Sequence, residues 1–219
     1  MPSAAWADQP MTILICALVS GAAAWALTRF MRHSATSDAP ILHSWLHVAV
    51  AAVLGGLAGL ASSWAEMAVF VVLAVASGLL TVIDFAEERL PDVIVLPLLG
   101  ITAVLLTVAA WITGEWGSLL RAVIAAAALF VLYFVMMIFS PDLGFADVKL
   151  IAIAGLFMGW FGWGAVVMGA CLGWVSYAIP GFARMFRTTK GERGSLPLGP
   201  FIILGSVLGV FWAGAFMTW

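Results

Sequence analysis

The chain has 219 residues, 64% of them hydrophobic and only 9% charged, with a net charge of -2 and a mean hydropathy of +1.15. Soluble domains are nearer half apolar with about a quarter of their residues charged, so a water-soluble fold of this size could not hide so much apolar surface, and the solvent must be lipid. Nothing in this balance resembles a nucleic-acid surface. Two cysteines, Cys16 and Cys171, both inside apolar segments, are too few for a disulfide framework or a thiolate metal site and are expected to be packing residues.

Apolar runs of about 20 residues cross hydrocarbon as helices, and the strict alternation of a membrane β-barrel is missing. The fold class is therefore all-α, a polytopic transmembrane helix bundle of about eight spans. They are expected over 11–29, 43–62, 64–83, 93–113, 119–139, 147–160, 163–183 and 199–218. The first is too long for a cleavable signal, and Met1 to Pro10 carries an aspartate but no lysine or arginine. The second begins with His43 and His47, one turn apart. With no carboxylate beside them, they are not expected to hold a metal. Spans two and seven carry small residues suited to close helix packing. The border between spans six and seven, Gly159 to Gly164, has no charge and reads as a tight interfacial turn with tryptophans at headgroup depth. The polar connections 30–42 and 184–198 are too short to fold alone, so residues 1–219 are expected to form a single domain.

The nine basic residues set the orientation. With an outer N-terminus, Arg29, Arg32, Arg89, Lys149, Arg184, Arg187, Lys190 and Arg193 share one side and only Arg121 falls on the other. Lysine and arginine accumulate in short cytoplasmic loops, so the expected topology is N-out/C-out. Asp8, Glu66 and Glu115 then lie outside. Asp38, Asp84, Glu87, Glu88, Asp92, Asp142, Asp147 and Glu192 lie inside or at the inner boundary.

Two of these acids abut apolar helices directly: Asp84 follows Leu79 to Ile83, and Asp147 opens span six. A carboxylate at a membrane boundary is costly unless hydrated, paired or functional. Taken singly, each has an ordinary explanation. Asp147 can be the N-cap of span six and Asp92, after Pro91, that of span four, while Lys149 can snorkel to the interface. Taken together, two aspartates a few ångströms apart would share a proton, one activating water while the other protonates the scissile carbonyl or amine. A competing class is a small proton-coupled transporter, which the absence of a strongly polar helix at mid-membrane disfavours.

The stretch VIDFAEERLPDVIVLPLL from Val82 to Leu99 resembles the first catalytic segment of the type IV prepilin peptidases. GFADVKL from Gly144 to Leu150 resembles their G-x-G-D-x-K-L segment, and LPLGPF from Leu196 to Phe201 their P-[FL]-G-P element. The resemblance covers roughly 65–218. It implies a membrane aspartyl endopeptidase that cuts the basic leader from a prepilin or pseudopilin at the cytoplasmic face of a bacterial inner membrane. Asp84 and Asp147 match the catalytic aspartates; Pro91, Asp92, Gly144, Ala146 and Lys149 match the surrounding motif positions. Glu87 and Glu88 could attract the basic leader, or simply belong to a solvated loop. No cofactor and no metal is implied. Ala146 replaces the usual motif glycine and would matter if a left-handed conformation were required there; a catalytically degenerate prepilin-binding relative is the alternative. Residues 30–42 lack the family's cysteine-bearing insertion, so methyl transfer is not expected.

Overall fold

A computed structural model describes residues 5–140, 143–187 and 196–216, with side chains placed over 10–140, 143–182 and 196–213. Every regular element among them is helical. In chain order they are α1 (Ala5–Ala26), α2 (Thr28–Ser34), a 3-10 turn (Pro40–His43), α3 (Leu46–Ala58), α4 (Trp64–Glu87), α5 (Asp92–Thr113), α6 (Trp116–Phe139), α7 (Phe145–Phe161), α8 (Trp163–Arg187) and α9 (Gly199–Phe216). Each of the eight expected segments meets a helix. Helices α4, α5, α6 and α8 are long and apolar enough to cross a membrane by themselves, and α1 with α2 makes a fifth if the bent pair is one span. The chain is a multi-pass membrane protein. Asp142, Lys190, Glu192 and Arg193 lie outside the described residues.

Two expected boundaries shift. The first span does not run straight to residue 29: between α1 and α2 the chain bends by 50° at Leu27. The Thr28 hydroxyl donates to the Trp25 carbonyl at 2.6 Å, and such back-bonding bends helices. The second span begins later than residue 43. Pro40 opens a 3-10 turn that closes at His43, and regular α-helix starts only at Leu46. His43 and His47 therefore do not share one helix, and Asp38 does reach His43, at 3.7 Å. The tight turn between α7 and α8 falls where expected, on Gly162, whose φ of 145° suits only glycine.

Two compact units account for the chain: 1–87 with 100–114, and 88–99 with 115–219. Helix α5 contributes its first part to the second unit and the remainder to the first. In the first unit α3 packs between α1 and α4 at short range. A Cβ on Gly55 of α3 would lie 2.4 Å from the Ser20 Cβ, and one on Gly78 of α4 would lie 2.4 Å from the His47 carbonyl oxygen. The second unit pairs α6 with α7 and α8 with α9 by the same device. Gly155 and Gly159 of α7 rest on Ala126 and Ala122. Gly169 and Gly173 of α8 meet Gly209 and Gly205 of α9 so closely that a Cβ on either α9 glycine would lie 2.4 Å from the opposing Cα. Lipid tails give helices no hydrophobic reason to associate, so such backbone approach supplies the packing energy instead. Most of α7 is buried, as befits a helix that is apolar on all sides.

Arg121, the one basic residue off the expected inner side, has a specific task. From α6 its Nε donates to the Gly159 carbonyl at 2.8 Å and an Nη to that of Trp160 at 2.9 Å. These are last-turn carbonyls of α7, where a helix leaves acceptors unsatisfied and favours a cation.

Candidate active-site elements

The sequence motifs divide between the two units, and each set is built within its own. In the first unit, Asp84 occupies the last turn of α4 and is only 3% exposed. Every residue from Gly78 to Asp84 is buried, while Phe85 next to it is exposed, so the enclosed stretch of α4 ends at Asp84. The helix continues to Glu87 and is broken at Glu88, whose φ of 53° is the only positive value at a non-glycine among the described residues. The Glu87 carboxylate accepts from the backbone N–H groups of Thr36 and Ser37, the latter at 2.6 Å, and from the Thr36 hydroxyl at 2.9 Å. It thereby straps the first polar loop to the end of α4. Glu87, which the sequence left between attracting a basic leader and belonging to a solvated loop, holds that loop through both of its oxygens.

In the second unit Pro91 precedes α5, and its carbonyl accepts from the N–H groups of Ile94 and Val95. Asp92 is the first helical residue rather than a cap. Its Oδ1 lies 2.6 Å from Lys149 Nζ, a short charge-assisted bond. The ammonium also sits 4.6 Å from the centroid of the Phe145 ring. The Lys149 side chain is 12% exposed, so it does not snorkel freely: its charge is neutralised by Asp92 and its stem is packed. This pair joins the first and second motifs, and neither partner alone suggested it. The legible signal was one acid and one base, each at a fixed place beside a candidate aspartate.

Asp147 is the third residue of α7, with Gly144 as N-cap. Asp147 is therefore not the N-cap itself: its Oδ2 reaches back to accept from the Gly144 N–H at 3.1 Å, the acidic half of a capping box. Gly144 has φ -81° and ψ 152°, extended backbone open to any residue, so no sharp turn calls for glycine there. A Cβ would lie 3.4 Å from Asp147 Oδ2. The missing side chain leaves that flank of the carboxylate uncovered. Ala146 is the second residue of α7 and right-handed, so alanine meets no backbone obstacle. The third motif also falls as expected. α9 opens at Gly199, and the Leu198 carbonyl accepts from Phe201 and Ile202 while Pro200 fills a first-turn position that needs no donor.

Chemically, these elements offer two carboxylates at the ends of well-packed helices, one buried at a C-terminal turn and one in an N-terminal turn. Among the described residues no three His, Cys, Asp or Glu side chains gather as metal ligands.

Comparison with known proteins bears on the same region. Residues 71–218 match the model of the type IV leader peptidase family. A prepilin leader peptidase/N-methyltransferase of Aeromonas hydrophila is 30% identical over 191 residues, 82% of this chain and 59% of that protein. One from Burkholderia pseudomallei strain 1026b is 31% identical over 168 residues, 74% and 52% of the two chains. The protein of that name from Escherichia coli K12 is 30% identical over 137 residues, 59% and 56%. The chain thus spans little more than half the length of these relatives. No solved structure matches it.

Proposed function

Since this chain belongs to the type IV leader peptidase family, we propose that it is an integral membrane aspartic endopeptidase acting on prepilin-like proteins. The observation that carries this reading is that the matched region, 71–218, includes both Asp84 and Asp147, each within its own motif. The substrate is a prepilin or pseudopilin with a short basic leader followed by an apolar helix. In the N-out/C-out topology the leader remains in the cytoplasm and the scissile bond is cut at the inner face of the bacterial inner membrane.

Asp84 and Asp147 act on one water and one peptide bond. One carboxylate takes a proton from water as it attacks the carbonyl carbon. The other, protonated, donates to the carbonyl oxygen to give a gem-diol. As that collapses, the first carboxyl passes the proton taken from water to the leaving amine and the second recovers a proton from the gem-diol, so no covalent enzyme intermediate forms. The chemistry asks for no metal. Lys149 and Asp92 act as positioning residues, holding the start of α5 and the first turn of α7 in register. Gly144 leaves room for the substrate backbone beside Asp147. Glu88, next to the strapped Glu87, contributes negative charge toward a basic leader. Methyl transfer is not part of the proposal, because the segment between the first two spans has no cysteine.

The test is leader cleavage by the purified full chain in liposomes, with a prepilin from the same genome and a gel shift as readout. Cleavage by wild type that is lost in both Asp84→Asn and Asp147→Asn supports the proposal. No cleavage by folded wild type, or cleavage surviving both substitutions, overturns it.

A further inference from the structure

The first unit contains a cavity that the proposed peptide chemistry does not use. It opens where α1 bends into α2 and the 3-10 turn leads into α3, and its volume is about 570 Å³. Its wall is built, not incidental. His47 is 1% exposed; its Nδ1–H donates to the Ser44 carbonyl at 3.1 Å, and its Nε2 lies 2.9 Å from the Thr28 hydroxyl. That bridge fixes the start of α3 against the start of α2. Two guanidiniums line the space, Arg29 and Arg32. Arg32 is steered by its Nε, which donates to the Leu42 carbonyl at 3.3 Å. Among the described residues neither arginine forms a salt bridge. Of the carboxylates near the first polar loop, Asp38 faces His43 and Glu87 is bound by Thr36 and Ser37.

A concave site with two unneutralised guanidiniums calls for an anion, and the planar donor fork of arginine suits phosphate oxygens. The surroundings say where that phosphate comes from. Trp25 and Trp45 line the cavity and are 60% and 67% exposed; exposed indoles belong at headgroup depth. From Trp25 a stripe of exposed apolar residues runs back along one face of α1 through Leu18 and Leu14 to Met11. The excess of positive charge in cytoplasmic loops explains why arginines lie on this side. It does not explain why two of them converge on one cavity between two indoles, at the foot of an apolar stripe.

We propose that this cavity binds the phosphate of an anionic phospholipid, with the acyl chains lying along the exposed face of α1. Basic pockets at the ends of membrane helices recognise such headgroups by charge and shape together.

The experiment uses the full chain in mild detergent, stripped of lipid and offered phosphatidylglycerol, phosphatidylcholine or inorganic phosphate, with bound species counted by native mass spectrometry. Wild type should retain phosphatidylglycerol in preference to phosphatidylcholine. Arg29→Gln with Arg32→Gln should lower that preference by about 25-fold, at about fivefold per arginine, whereas Arg89→Gln should leave it unchanged. Should the double variant fold poorly, Arg29→Gln alone carries the test, because Arg29 makes no hydrogen bond among the described residues; it should cost about fivefold. Equal retention of the two lipids, or retention indifferent to Arg29, overturns the proposal. So does arginine-dependent capture of inorganic phosphate without retention of phosphatidylglycerol, which would make this a free-phosphate site.

Discussion

Asp84 and Asp147 stand at opposite kinds of helix end, and the difference shapes what each can contribute. Asp147 lies in the first turn of α7, where backbone N–H groups point outward and one of them, from Gly144, already binds its carboxylate. Asp84 lies in the last turn of α4, where carbonyl oxygens point outward and every residue of the preceding turn is buried. Helix N-termini favour negative charge and C-termini disfavour it. Asp147 therefore helps its own helix to fold. Asp84 is buried at an end where the helix dipole works against its charge. A carboxylate kept buried against the helix dipole is the stronger functional signal of the two.

That contrast can be attacked directly. The largest effect expected is on catalysis: Asp84→Asn and Asp147→Asn should each lower leader cleavage by about 10²–10⁴-fold, the range for removing a positioned acid or base, as read from initial rates. If only one of them does so, the two aspartates are not equal partners. Next comes Lys149→Gln, which leaves Asp92 unpaired and should slow cleavage about tenfold through misplacement. Lys149→Arg should recover part of that loss, whereas a merely structural lysine would change the unfolding temperature and not the rate. Stability should separate the two ends more finely. Asp147→Ala should cost about 1 kcal/mol through the lost capping-box bond, while Asp84→Asn, which removes a charge the helix dipole opposes, should cost less in thermal unfolding in detergent. The smallest effect is at Ala146. Ala146→Gly should cost at most about 1 kcal/mol of helix stability with cleavage unchanged within about twofold; a large gain in cleavage would show that the alanine obstructs substrate.

Hydrophobic run length carried the helices because a backbone in lipid has almost no other way to satisfy its polar groups. That is why each of the eight expected segments meets a helix, and why the glycine turn between α7 and α8 was legible. The boundaries near Leu27 and Leu46 were not, since they depend on a threonine hydroxyl folding back on its own helix and on a proline-opened 3-10 turn. Both are local competitions that hydropathy does not register. The motif residues were legible as types and places, but their partners were not. Lys149 and Asp92 are 57 residues apart, and Glu87 meets Thr36 and Ser37 across fifty or so positions. Pairings at such separation are set by helix packing, which no single segment encodes. Gly144 was legible as a motif position only; its backbone is ordinary, and what its missing side chain leaves open beside Asp147 is seen only in three dimensions.

Arg121 has a bearing on how the protein is made. Its guanidinium finds one acceptor on its own helix, at Ser118, and two on α7, at Gly159 and Trp160, so α6 alone would leave donors, and α7 alone two carbonyls, without these partners. Each deficit is cured by the other helix. Pairing of α6 with α7 is thus expected to be favoured as soon as both helices are in the bilayer.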